Sequence, residues 1–233
     1  MIKFGGFQDP SLVEWPGKSA CIVFLRGCPL RCPRCINPGI QAGKDAVPLE
    51  RVLDKIDKVK NISLVMISGG ECLLYPQDVL AIASYAHDRG LQVGIETSGI
   101  MPENLQKVLP HIDNVLMSIK EEMKVWPYLK ATGMVQYANM GNLAARVAQS
   151  VSLIDEWDGE AIFATPIFHD NQDQLHHILV DLDSRTKNHD RCWKLLRGVY
   201  PDGSQEPVTA RALKALADEL GGLLTSTRIK VVA

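Results

Sequence analysis

Strand-length apolar runs, separated by segments of helical period, constrain this chain more than any other feature. The runs are ACIVFLR (20–26), SLVMIS (63–68), LQVGIE (91–96), NVLMSI (114–119), AIFATPI (161–167) and CWKLLRG (192–198). Between them, PLERVLDKIDKV sets Leu49, Val52, Leu53 and Ile56 on one helical face. PQDVLAIASYAHDRG sets Val79, Leu80, Ala83 and Ala86 on one stripe, with Gly90 where a C-terminal cap belongs. Residues 139–157 are the longest helical candidate, and DQLHHILVDLDSRT and ARALKALADELGG supply two more late in the chain. Strands apolar on both faces and joined by helices call for parallel βαβ units with right-handed crossovers. Six such units predict an α/β fold, a partial (β/α)6 TIM-like barrel of parallel strands. The first 17 residues, broken by Gly and Pro, predict a lead-in hairpin. The chain reads as one domain, with the lead-in at 1–19 and the partial barrel at 20–233. In parallel α/β folds ligands gather at the carboxyl ends of strands, so chemistry-bearing residues should follow the runs.

Composition removes competing classes. The 233 residues suit one large core better than two, and 46% hydrophobic with 22% charged residues is ordinary for a globular protein. A formal net charge of −2 without a basic run leaves no electrostatic footprint for nucleic acid or a membrane surface. MIKFGGFQDPSLVEWPGK has no apolar h-region, and no apolar run reaches the roughly 18 residues of a membrane span. The expected location is therefore cytoplasmic, where thiols stay reduced and clustered cysteines point to metal or catalysis.

RGCPLRCPRCINPG (26–39) follows the first run at once and holds three of the six cysteines, spaced Cys28-x3-Cys32-x2-Cys35. Iron–sulfur clusters are held by Cys thiolates, and a cubane [4Fe–4S] ordinarily takes four. Three thiolates leave one iron open, so this metal-ligating set leaves a place where a substrate or cofactor can chelate. Gly27, Pro29, Pro33 and Pro38 suit a stiff loop wrapped around an object. The competing readings are structural zinc, which prefers four closed ligands in paired motifs, and scattered core thiols. Cys21, Cys72 and Cys192 stand singly, with Cys21 inside the first run as a small buried hydrophobe.

The ends of later runs carry polar groups. Ser68-Gly69-Gly70-Glu71 ends the second: two glycines let backbone approach a ligand, and Glu71 can accept from an ammonium group. A plain strand-to-helix turn reads the same residues. Glu96-Thr97-Ser98-Gly99 ends the third, with a capped turn as the alternative. Ser118-Ile119-Lys120 ends the fourth; Lys120 offers a fixed ammonium to an anionic group, or is a solvated strand-end lysine. His169-Asp170 follow the fifth run, at the ligand-bearing end, with an exposed loop histidine as the alternative. His176 and His177 face different sides of a helix, and Asp181, Asp183 and Arg185 read as a solvated helical face.

CxxxCxxC after the first strand resembles the signature of radical S-adenosylmethionine (SAM) enzymes. Within that superfamily, SLVEWPGKSACIVFLRGCPLRCPRCINPG is similar to activating enzymes of glycyl radical enzymes. The likeness is greatest to the activating proteins of anaerobic ribonucleotide reductases. They share the lead-in, the turn that stands here as Trp15-Pro16-Gly17-Lys18, and Asn37-Pro38 after the last cysteine. The resemblance runs from about residue 6 to about residue 133. It implies a [4Fe–4S] cluster on Cys28, Cys32 and Cys35, with SAM chelating the open iron. It implies cofactor contacts from Asn37, from Ser68, Gly69, Gly70 and Glu71 (the family's GGE, at the methionyl amino group), and from Glu96 and Thr97. Lys120 would meet the SAM carboxylate, and His169 would contact SAM or substrate. Tyr128, Thr132 and Gly133 follow Lys120 in the family's order.

Four positions depart from the pattern. Ser118 stands where some activating enzymes have an Asp that helps hold a monovalent cation, and a neutral hydroxyl would bind a cation more weakly. Arg34 stands where many relatives have an aromatic, and its charge would favour a reduced cluster. Ile36 replaces a frequent His. Cys72 replaces a frequent Pro, as a packed thiol or a residue near substrate.

The resemblance implies reductive cleavage of SAM to a 5′-deoxyadenosyl radical, with an electron from flavodoxin or ferredoxin. A glycyl radical enzyme, such as anaerobic ribonucleotide reductase, would be the partner. The alternatives are a radical SAM enzyme acting on a small molecule or ribosomal peptide, a non-enzymatic iron–sulfur or zinc protein, and a pseudoenzyme.

Overall fold

The computed structural model describes residues 1–42, 46–137, 142–187, 191–223 and 229–233. They form an α/β fold with a mostly parallel eight-stranded sheet, its strands in chain order. The strands are β1 (Phe4–Trp15), β2 (Lys18–Leu25), β3 (Leu64–Gly69), β4 (Gln92–Thr97), β5 (Asn114–Ser118), β6 (Glu160–Ile167), β7 (Arg191–Arg197) and β8 (Ile229–Val232). The helices are α1 (Pro38–Gln41), α2 (Leu49–Lys58), α3 (Pro76–His87), α4 (Pro102–Val108), α5 (Val125–Ala131), α6 (Leu143–Asp155), α7 (Leu175–Arg185) and α8 (Ala210–Leu223). The six apolar runs fall on β2 to β7. β3 and β5 bury every residue but their last, which is why they read as unbroken apolar runs. The expected helix at 139–157 is α6, capped by the Asn142 side chain, which accepts from the Ala145 N–H at 3.0 Å. Positions 139–141 of that expectation lie outside the described residues. Among the described residues no helix is long and apolar enough to cross a membrane.

Two compact units divide the chain. The first comprises Met1–Pro29, Asn37–Thr97 and Glu103–Leu116. Here the lead-in is one long strand that folds back on the first parallel strand: β1 pairs antiparallel with β2 across the Pro16-Gly17 turn, where Gly17 has φ +75°. Pro10 and three register shifts interrupt β1, devices that blunt an exposed edge. β2, β3 and β4 then pair in parallel, with Leu25 opposite Gly69 and Ile67 opposite Ile95. α2 buries Val52 and Ile56, and α3 buries Val79, Ile82, Ala83 and Ala86. Gly90 takes φ +71° beyond α3, and the Leu91 N–H reaches the Ala86 carbonyl at 3.1 Å, closing the helix as its sequence requires.

The second unit comprises Leu30–Ile36, Ser98–Pro102 and Met117–Ala233. β6, β7 and β8 pair in parallel. Trp193 is fully buried, and its indole N–H donates to Thr165 Oγ1 at 2.9 Å. Arg191, at the start of β7, is 3% exposed. Its guanidinium donates to the carbonyls of Ile154 (2.6 Å), Gly159 (2.8 Å), Asp155 (3.3 Å) and Trp157, gathering carbonyls at and just beyond the C-terminus of α6. An Arg191→Met variant should keep the packing volume but strand those carbonyls, costing about 2–3 kcal/mol in urea unfolding. A loss below about 0.5 kcal/mol would show that solvent replaces the guanidinium without penalty.

Candidate functional site

In the first unit, the ends of β2, β3 and β4 are built around two glycines. Gly69 has φ +126°, and a Cβ there would lie 2.1 Å from the Leu25 carbonyl oxygen. A Cβ on Gly70 would lie 2.1 Å from the Gly27 oxygen and 3.0 Å from Cys28 Cβ. The absent side chains let the Gly70 N–H reach Leu25 O (3.0 Å) and the Glu71 N–H reach Gly27 O (2.8 Å). The turn after β3 is thereby fastened to the first limb of the cysteine loop. Arg26 secures the same limb from the other side: its Nε donates to Phe4 O at 3.0 Å and its Nη1 to Ala42 O at 3.1 Å. Gly27 N–H donates to Ile40 O at 2.9 Å, so the chain entering the cysteine motif is tied to the chain leaving it.

The polar side chains at these strand ends form a network. Glu71 is fully buried, and its Oε1 accepts from the Leu73 N–H (3.2 Å) and from Thr97 Oγ1 (2.8 Å). The expected acceptor for an ammonium group thus meets a carboxylate already engaged in shaping the turn. Ser68 Oγ donates to Glu96 Oε2 at 2.6 Å, which fixes the rotamer of a half-buried carboxylate at the end of β4. Cys72 is buried, its Sγ donates to the Glu96 carbonyl at 3.3 Å, and burial pushes its thiol well above the ordinary value. It is a packed thiol. So is Cys21, pushed up to about 12 by burial. Asn37 precedes α1, and its side chain does not cap that helix.

In the second unit, the limb carrying Cys32 and Cys35 rests on the turn after α5. The Arg31 N–H donates to Thr132 O at 2.9 Å, and Gly133, at φ +67°, lets the Arg31 carbonyl approach to 2.0 Å from where a Cβ would stand. Thr132 Oγ1 in turn donates to Tyr128 O at 2.7 Å. The Cys35 N–H closes on Cys32 O at 3.2 Å. Burial raises the Cys32 thiol, the Lys120 ammonium draws it down, and Cys35 adds to the rise. Lys120, two residues beyond β5, therefore lies within electrostatic reach of Cys32. A cavity of about 550 Å³ opens here, lined by Cys32, Arg34, Lys120, Glu121, Trp126, Phe168 and Asn171 among others. Burial raises the Glu121 carboxyl, which is 8% exposed. Ser118 is half-buried at the end of β5.

Two other singled-out residues make contacts of their own. His169 is exposed and its Nε2 lies 3.0 Å from the Glu206 carbonyl. Arg34 is bonded to Asp170 and lies 4.4 Å from the Phe168 ring centroid, so its charge is compensated locally. Sequence reasoning did not find Arg26, Asp170, Phe168 or Tyr200; only the strand-end position of Asp170 hinted at any of them.

Cys28, Cys32 and Cys35 are half-buried and not joined in disulfides. Among the described residues, no three His, Cys, Asp or Glu side chains are gathered as ligands of one metal ion. A cubane sets each thiolate on its own iron, and cysteine thiolates are its ordinary donor set, so these three residues fit the group by their chemistry.

The model of the Radical SAM superfamily matches residues 22–133. A Methanocaldococcus jannaschii protein, provisionally named a glycyl-radical enzyme activating enzyme, is 34% identical over 118 residues, 49% of this chain and 49% of its own. The pyruvate formate-lyase-activating enzyme of Clostridium pasteurianum is 33% identical over 127 residues, 52% of this chain and 53% of its own. The chain thus spans about half the length of these curated relatives. Among solved structures, TYW1 with a lysine-pyruvate adduct aligns with TM-score 0.65 at 16% identity, over 89% of this chain and 75% of that one, a likeness of fold alone. With its cysteine loop set at the end of the first parallel strand, the segment 22–133 is a radical SAM domain.

Proposed function

We propose that this chain is an activating enzyme that installs a glycyl radical on a partner enzyme. Cys28, Cys32 and Cys35 would hold a [4Fe–4S] cluster whose open iron chelates SAM. The observation that carries this reading is how the cysteine loop is held: one limb on the Gly69-Gly70 turn, the other on the Thr132-Gly133 turn with Lys120 in reach of Cys32. When bound, the cluster supplies one low-potential electron, drawn from flavodoxin or ferredoxin, that splits the S–C5′ bond of SAM into methionine and a 5′-deoxyadenosyl radical.

The chain's own residues bind and orient. The Gly69-Gly70 backbone gives SAM close access to main-chain groups, with Glu71 holding that turn from inside. Glu96, its rotamer set by Ser68, presents a carboxylate to the ribose hydroxyls. The Lys120 ammonium holds the SAM carboxylate. Trp126, Pro127 and Phe168 supply apolar walls that exclude water. The chemistry so supplied would remove the Cα hydrogen of one glycine of the partner, giving 5′-deoxyadenosine and a glycyl radical delocalised between amide and carbonyl. Ser118 offers only a neutral hydroxyl, so the reading does not depend on a monovalent cation. The lead-in, the Trp15-Pro16-Gly17-Lys18 turn and Asn37-Pro38 favour anaerobic ribonucleotide reductase as the partner.

The test is anaerobic reconstitution with iron and sulfide, then dithionite, SAM and purified anaerobic ribonucleotide reductase labelled with α-deuterated glycine. The expected result is a glycyl radical in the electron paramagnetic resonance spectrum and deuterium in 5′-deoxyadenosine. Product without a glycyl signal would remove this partner and keep the SAM chemistry. Bound zinc with no product would overturn the reading.

A further inference from the structure

Arg34, between Cys32 and Cys35, is held by contacts to the turn after β6. The Arg34 guanidinium bonds the Asp170 carboxylate and lies 4.4 Å from the Phe168 ring centroid and 5.5 Å from that of Tyr200. The two rings are buried and meet edge to face, 5.2 Å apart at 77°. The ledge beneath the arginine is itself locked. Tyr200 Oη accepts from the His169 N–H at 3.0 Å. The Asn171 side chain accepts from the Phe168 N–H at 2.8 Å and donates to Pro166 O at 3.0 Å. A mobile surface arginine would have none of this. Asp170 feels the pairing too, its carboxyl held below the ordinary value chiefly by the hydrogen bond from Arg34.

We propose that Arg34 is a positioning residue: it latches the Cys32–Cys35 segment onto the turn after β6, and Asp170 is the catch. Its charge is spent on that catch and does not tune the cluster. The proposal rests on the cluster reading above, but the latch is a property of the chain without its cluster. The flat guanidinium covers the Phe168 face as a ring would, and the carboxylate removes the penalty of an uncompensated charge.

Three variants separate a latch from a tuning charge: Arg34→Gln, Asp170→Ala, and the exchange of Arg34→Asp with Asp170→Arg. One readout is hydrogen exchange of the Arg31 and Cys35 amides in the cluster-free chain. The other is the reduction potential of the reconstituted cluster. A latch predicts that both single variants speed exchange by about three- to tenfold, the range expected for one ion pair with one cation–π contact. It also predicts potential shifts of the same sign, since each loosens the same loop, and partial recovery in the exchanged pair. A tuning charge predicts opposite signs: Arg34→Gln removes a positive charge and lowers the potential, whereas Asp170→Ala uncovers one and raises it. Opposite signs, or unchanged exchange in both single variants, would overturn the latch. If the wild type takes up no cluster, the cluster reading fails while the exchange arm still decides the latch.

Discussion

Replacing Cys32 with alanine is expected to remove the cluster and all SAM cleavage while leaving the fold in place. Cys32 is half-buried and borders the cavity, so losing one sulfur should cost less than about 1 kcal/mol of stability. The effect on metal is of another order. Hydrogen-bonding neighbours of metal ligands are each worth about 10–100-fold in metal affinity, so a ligand itself should be worth more than about 100-fold. Two remaining thiolates would leave two irons open, and the cluster would be lost to solvent and oxidation. Cys21→Ala and Cys72→Ala are the internal controls. Both thiols are buried and raised by desolvation, and both should retain iron. The measurement is iron and sulfide per chain, with 5′-deoxyadenosine as the functional readout. Cys32→Ala with wild-type iron would mean that another residue ligates, and the three-cysteine assignment would fall.

The strands were legible because burial on both faces writes an unbroken apolar run, as in LVMIS and NVLM. β8 was not, since four residues give no period to count, and α4 was hidden behind a proline that begins a helix as readily as it ends one. The lead-in was seen as a hairpin, but its pairing with β2 depends on a register that no local pattern specifies. At the site, Gly69 and Gly70 were recognisable as places of close approach. What they approach, the backbone of Leu25 and Gly27, follows only from the parallel pairing of β2 with β3. Glu71 was read as an acceptor for an ammonium group, and its full burial is not visible in the local sequence. Its burial is made tolerable by Thr97, 26 residues on. Arg34 was read as bringing a positive charge close to the cluster, and its bond to Asp170, 136 residues away, is not visible in the local spacing. Side-chain direction in a loop is decided by such distant partners, and spacing does not encode them.

The glycines at the end of β3 should prove among the least replaceable residues of the fold. In Gly70→Ala the new Cβ would stand 2.1 Å from the Gly27 oxygen, and in Gly69→Ala 2.1 Å from the Leu25 oxygen, at a φ of +126° that L-residues rarely adopt. Backbone atoms cannot rotate away as a side chain can. Relief requires β3 to part from β2, breaking the bonds from the Gly70 N–H to Leu25 and from the Glu71 N–H to Gly27. Overpacking of 1–3 kcal/mol, plus about 1 kcal/mol for each hydrogen bond, gives an expected loss of about 3–5 kcal/mol for either variant. Gly39→Ala is the contrast: nothing lies within 4 Å of its Cβ, and the free energy of urea unfolding should change by less than about 1 kcal/mol, if anything upward. In Gly70→Ala the displaced limb carries Cys28, whose Cβ is 3.0 Å from the new methyl, so iron retention should fall with stability. Equal unfolding midpoints for Gly70→Ala and Gly39→Ala would mean that the strand ends yield freely. A limb held that loosely could not keep Cys28 in place as a cluster ligand.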